Sequence, residues 1–195
     1  MSWKRILLIT LIAYGAYHHF SNRPIMHGIG VIAGVQPQQA STNQTNLTLN
    51  DYTIRPLQSF EIKARVLSTA HYFVGREADL APVDLVLGWG PMSDEAVLSK
   101  IDISQSHRFY YWHVDAFPIA RDQIETNSAN MHMIAADSTI EKTLKSIRPG
   151  QMVKLSGYLV EVNAADGWHW RSSLSRTDTG NGACELVYVK TLTVS

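Results

Sequence analysis

The stretch MVKLSGYLVEVNAADGWHWRSSL, residues 152–174, decides the fold. Apolar and polar residues interleave from Met152 to Val162 and again from Trp168 to Leu174, the period-two pattern of half-buried strands. Asp166-Gly167 lies between the two runs and has the chemistry of a tight hairpin turn. Just upstream, STIEKTLKSIRPG (138–150) carries the other period. Ile140, Leu144 and Ile147 recur at helical spacing, with Ser138 and Glu141 matching a capping box. Lys145 and Arg148 suit the negative end of the helix dipole, and Pro149-Gly150 stops the helix.

Working outward, Phe60, Ile62, Ala64 and Val66 alternate with Glu61, Lys63 and Arg65 in another half-buried strand. Val83 to Trp89 is an apolar run that suits a strand, and Gly88-Trp89-Gly90-Pro91 must turn. Ser93 and Asp94 cap a short helix that carries Val97, Leu98 and Ile101 on one side. His107 to His113, dense in aromatics, reads as a strand throughout, and Cys184 to Val194 as the last. The order predicts an α+β domain, mainly antiparallel β with two short helices, over residues 52–195. The helix followed by VKLSGYLVEV and a hairpin resembles part of a small OB-like barrel, a likeness of fold that carries no function.

Ahead of that domain stands MSWKRILLITLIAYGAYHHF. Lys4 and Arg5 precede an uncharged apolar run from Ile6 to Tyr17, the pattern of a signal peptide or signal anchor. The small residues Ala13 and Gly15 are flanked by tyrosines and make a poor cleavage site, so residues 1–23 are expected to stay as a membrane helix. Charge asymmetry then puts the rest of the chain outside the cytoplasm, in the periplasm of a bacterium, with the helix in the inner membrane. Residues 24–51 are an apolar, glycine-broken extended segment that packs on the domain, followed by a polar, amide-rich linker.

Composition excludes little beyond one class. The 17 basic residues balance the 17 acidic ones, so the clustered positive charge that phosphate contacts need is missing and no nucleic acid partner is expected. The single cysteine rules out an intrachain disulfide framework. None of the eight histidines has the spacing of a metal pair in the folded region, so neither a metal nor a cofactor is predicted.

Three groups of residues could carry chemistry. Cys184 could be a nucleophile with His132 or His169 as base and Glu185 or Asp178 as orienting group, because the thiolate needs a neighbour that lowers its pKa. Its alternative is a small apolar residue opening a strand on the face of Leu186 and Tyr188, as free cysteines commonly do. Ser172, Ser173, Arg176 and Asp178 could form a pocket for a carboxylate or phosphate, since arginine binds both in bidentate fashion. Against that, a surface Arg176–Asp178 pair with solvent-facing serines accounts for the same residues, and strict alternation points the two serines opposite ways. Trp89, Trp112, Trp168 and Trp170 with Tyr110 and Tyr111 could line a groove for a sugar or peptide, or serve as core and cross-strand pairs.

VDLVLGWGPMSD (83–94), SANMHMI (128–134), VKLSGYLVEV (153–162) and SSLSRTDTGNGACELVYV (172–189) together resemble a group of uncharacterised proteobacterial membrane-anchored proteins. The resemblance implies an envelope location and draws attention to Trp89, His132, Arg176 and Cys184 without giving any of them a role. Two functions follow as expectations. The first is a membrane-anchored periplasmic binding or assembly module whose partner is an envelope protein, a small molecule or a glycan. The second is an envelope hydrolase or transferase using Cys184 with His132.

Overall fold

The computed structural model describes residues 3–21, 23–175 and 183–195. Helix α1 (Trp3–Ser21) comes first, and Ile6 to Ile12 expose their apolar side chains around it. Its uncharged run from Ile6 to Tyr17 covers only about 18 Å at the helical rise, well short of a bilayer core. Accordingly, no helix among the described residues is long and apolar enough to cross a membrane.

Residues 25–36 lie extended along the domain. Strands β1 (Gln38–Ser41) and β2 (Leu47–Leu49) then pair with β3 (Tyr52–His71), the longest strand. A one-turn helix α2 (Arg76–Leu80) leads to β4 (Val83–Gly88). Residues 89–127 are an excursion containing a 3-10 turn (Gly90–Ser93), helix α3 (Glu95–Leu98), the hairpin β5 (Asp102–Ser106) and β6 (Phe109–His113), and helix α4 (Arg121–Thr126). The chain returns through β7 (Ser128–Ala135), helix α5 (Ser138–Ser146), β8 (Met152–Ala164), β9 (His169–Arg171) and β10 (Glu185–Val194). The domain is α+β with a mostly antiparallel sheet, as the periodicity predicts.

Five strands pair in a closed ring. β3 pairs with β4, β4 with β7, β7 with β10, β10 with β8, and β8 returns to β3. Every contact in the ring is antiparallel except β7–β10. β3 can serve both sides because its register shifts at Pro56/Gln58 against β8 and at Val66/Ser68 against β4, and such bulges bend a strand. Gly157 lets β8 and β10 close up, for a Cβ there would sit 1.9 Å from the Tyr188 carbonyl oxygen.

Alternation sorts the side chains. Phe60, Ile62, Ala64, Val66, Val83, Leu85, Leu87, Met131, Met133, Leu155 and Val187 fill the inside of the ring. Ile140 and Leu144 of α5, with Ile147 at its C-cap, plug one end, which is why that helix shows such a clear apolar stripe. Burying roughly ten such side chains at about 1.5–3 kcal/mol each is the dominant favourable term for the domain. The outer face of the ring is covered as well: Ile54, Leu80, Ile134, Val160, Val162 and Leu186 are buried beneath Trp168 and Trp170.

The structure corrects four local expectations. The N-cap of α5 is Asp137, whose carboxylate accepts from Thr139 and Ile140 N–H at 2.8 and 2.9 Å, so Ser138 and Glu141 are not a capping box. His107 and Arg108 are not strand residues; with φ of 52° and 70° they form the two-residue turn between β5 and β6. Helices α2 and α4 add to the two expected, being too short to show a period. The hairpin partner of β8 is shorter than predicted, because pairing ends at Arg171 rather than Leu174.

The motif WGPMSD proves to be a mooring for the extended segment. Ser93 Oγ accepts from the N–H groups of Ile32 and Ala33, and Asp94 Oδ1 from Gly30 N–H at 2.9 Å. Glu95, paired with the nearly buried Arg65 at 2.5 Å, accepts from His27 N–H. Gly90 N–H donates to the Ala33 carbonyl, Trp89 Nε1–H to Gln36 Oε1 at 2.7 Å, and Ile25 N–H to the Pro149 carbonyl. These bonds hold residues 25–36 to the domain as an ordered strap.

Candidate functional site

Asp84 and His132 face each other across β4 and β7, on the outer face of the ring. Asp84 is wholly buried, and a buried carboxylate needs a counter-charge. Arg108 supplies it from the β5–β6 turn: its Nη1–H donates to Asp84 Oδ1 at 2.7 Å and to the Ala81 carbonyl at 2.9 Å. The guanidinium stacks 3.8 Å from the centre of the Tyr72 ring and also lies over Trp170. Burial, then the Asp84 charge, hold the Tyr72 phenol above its ordinary pKa. His132 Nδ1 sits 2.9 Å from Asp84 Oδ1, close but outside hydrogen-bond alignment, and its ring lies against Trp170 at 4.9 Å.

The same turn is bolted by its backbone. Arg108 N–H donates to Tyr72 Oη at 3.1 Å, and its carbonyl accepts from Asn130 Nδ2–H at 2.8 Å. A non-glycine residue in the left-handed region costs about 1 kcal/mol or more, so these bonds are needed to keep Arg108 there. Arg108 thereby fixes how far the β5–β6 hairpin stands from the ring.

Between hairpin and ring lies a cleft of about 540 Å³. Phe109 to Val114 form one wall, Phe117, Arg121 and Glu125 a second, and Ser128 to Asn130 with Cys184 and Glu185 the floor. The Tyr110 hydroxyl is 2.9 Å from Ser128 Oγ; burial, and then the charges of Glu125 and Glu185, raise its pKa. Arg121 Nε–H donates to Glu125 at 2.8 Å and its guanidinium lies over Trp112.

Cys184 and Glu185 therefore share the cleft, with Cys184 half-buried. The thiol lies 3.7 Å from the Arg108 carbonyl oxygen and 3.9 Å from Asn130 Nδ2. The His132 imidazole places its Nδ1 at Asp84 and packs its ring on Trp170. Trp89 lines the cleft at its base while its indole N–H is bound to Gln36. Tyr110, Tyr111 and Trp112 line it too, whereas Trp168 and Trp170 cover the ring.

Ser172 and Ser173 are buried, contrary to the solvent-facing reading, because the chain has already left β9 and no longer alternates. Ser172 Oγ accepts from Leu186 N–H at 3.0 Å, and Ser173 N–H donates to the Cys184 carbonyl, so this pair ties the β9 end to β10. Arg176 and Asp178 lie outside the described residues. Sequence reasoning missed Arg108 entirely; the signal was a lone arginine opening an aromatic run, with none of the Asn-Gly chemistry that marks such turns. No family model, curated protein or solved structure matches the chain.

Proposed function

We propose that the protein is a membrane-anchored periplasmic binding module, with its ligand seated in the cleft between the β5–β6 hairpin and the strand ring. One observation carries this reading: an open cavity of about 540 Å³, walled by aromatics and floored by a few polar groups, beside a sheet face that is otherwise covered. Ligand sites have this size and this balance of apolar walls with sparse polar groups. The ring order and the helix plugging its end support a small barrel of OB type. In such barrels ligands use the outer face of the second and third strands, which here are β4 and β7. That face is filled by Arg108, Trp170 and the Asp84–His132 pair, which leaves the neighbouring cleft as the accessible surface.

The anchor reading rests on α1, whose Ile6, Leu7, Leu8, Ile9, Leu11 and Ile12 are all exposed behind Lys4 and Arg5. An uncovered apolar helix flanked by cations suits a lipid surface better than water. Vesicle flotation tests it. The full-length chain floats with phosphatidylglycerol-containing vesicles, and a variant with Leu8→Asp and Ile12→Asp stays at the bottom; a full-length chain that does not float overturns the anchor.

Ligand-observed NMR with a fragment library on the full-length protein tests the cleft. Fragments are expected to compete with one another, and Trp112→Leu to weaken them while the variant keeps a cooperative unfolding transition. Fragments that bind the Trp112→Leu variant unchanged would place the ligand elsewhere and end this reading.

A further inference from the structure

Resting on α1 as the lipid anchor, we infer that the strap is a second membrane contact, whose outward side chains enter the bilayer surface and lay the domain against it. From Pro24 to Val35 the chain has one polar side chain, His27. That residue is turned inward, its Nε2–H donating to the Gly150 carbonyl at 2.6 Å. Backbone N–H groups make the other mooring bonds, which leaves Met26, Ile29 and Val31 facing out, 69%, 84% and 53% exposed. Polar groups thus face the protein and apolar ones face away from it, the reverse of a segment built for water. The bonds on the inner side keep the row from turning over onto the core.

Chain length brings this row to lipid. Ser21 ends α1, and the steps from there to Met26 span at most about 18 Å when fully extended. With α1 held in a bilayer, Met26 stays within that distance of the helix end. The helix also needs help. Its uncharged run is short for a bilayer core, and a marginal anchor becomes stable when a second contact joins it.

The shape of the row selects lipid over protein. Met26, Ile29 and Val31 lie along one extended segment with Gly28 and Gly30 between them. So narrow a strip falls far short of the roughly 800 Å² per partner of a stable protein interface. A bilayer surface asks for apolar area and needs no matching shape. The mooring then sets which side of the domain meets it. β8 starts at Met152, beside the Gly150 contact, and runs thirteen residues to Ala164, about 40 Å of strand. Ala165, exposed at the β8–β9 turn, marks the end that stays in water.

The test uses the full-length chain with Cys184→Ser and a polarity-sensitive fluorophore on Ile29→Cys, Val31→Cys or Ala165→Cys. Each labelled protein is bound to phosphatidylglycerol-containing vesicles whose acyl chains carry nitroxides. These side chains face solvent, so labelling leaves the unfolding midpoint near that of the parent. At 29 and 31 the emission shifts to the blue on binding and most of it is quenched; at 165 neither happens. With the label on Met26→Cys, adding Ile29→Asp and Val31→Asp abolishes the quenching while the protein still floats. Labels at 29 and 31 that stay unquenched on floating protein overturn this inference alone. A blue shift without lipid quenching assigns the row to a second copy or another protein and overturns it too. Equal quenching at 29 and 165 overturns the orientation that the strap imposes. Protein that does not float refutes the anchor reading and this inference with it.

Discussion

Arg108 and Asp84, twenty-four positions apart in the chain, meet at 2.7 Å across the outer face of the ring, the aspartate wholly buried and the arginine nearly so. One is the second residue of a hairpin turn, the other a strand residue facing away from the core. Their contact, together with the packing of Ile103, Trp112 and Val114 on Met92 and Ile124, holds the hairpin as the wall of a cleft.

Removing Arg108 strands a buried carboxylate. Arg108→Met is expected to lower unfolding free energy by about 3–5 kcal/mol in urea titrations. Asp84→Leu in the same background recovers much of that loss, because an apolar pair needs no counter-charge. If the double variant is no more stable than the single one, the ion pair is not what holds the hairpin.

The strap should loosen in acid. Gly30 and Ala96 N–H groups, donating to Asp94, hold its carboxyl below the ordinary 3.8. Burial raises the Glu95 pKa, but the Arg65 guanidinium and the His27 N–H outweigh it and leave the group below 4.5. A carboxylate lowered by folding adds stability that is complete above its unfolded pKa and is lost as pH falls through the folded one. Hydrogen-exchange protection of the Gly30 and Ala33 amides is therefore expected to be flat near neutrality and to fall as pH drops below about 4.5. Asp94→Asn should remove part of that dependence, and protection that ignores pH would show the carboxylates to be incidental.

Gly150 is the other end of the same mooring. Its φ is 89°, and a Cβ would stand 2.0 Å from the Ile25 carbonyl oxygen. Gly150→Ala should cost about 1–3 kcal/mol and expose residues 25–36 to proteolysis while leaving the ring paired. Wild-type resistance to protease in that variant would mean that the strap is held elsewhere.

Cys184 gives a chemical readout of the cleft. Its thiol is half-buried beside Asn130 and the Arg108 carbonyl, so iodoacetamide is expected to modify it more slowly in native than in denatured protein. A fragment bound in the cleft should slow the reaction further. Native alkylation faster than that of a free thiol would instead revive Cys184 as an activated nucleophile.

How much of this was legible in the sequence depended on range. The alternation of Phe60 to Val66 and of Met152 to Val162, and the stripe of α5, reported their own burial because one face of each meets the core. The WGPMSD motif was visible as a turn, but not as the acceptor row for a strap some sixty residues upstream, since only the fold brings Gly30 to Asp94. Cys184 and Glu185 were singled out and do line the cleft. The cleft itself was not readable, because it is created by a turn at His107-Arg108 that uses two residues with no turn preference and is stabilised by tertiary contacts alone.

The place of β10 has a consequence for how the chain comes together. It lies between β7 and β8, and neither of those strands touches the other without it. Until residues 185–194 arrive, the ring is a bent ribbon with two raw edges, each a template for another chain. Closure of the ring therefore depends on residues 185–194 pairing on both sides. A truncated form lacking that strand would be sticky rather than merely unstable, because both edges would stand open to another chain.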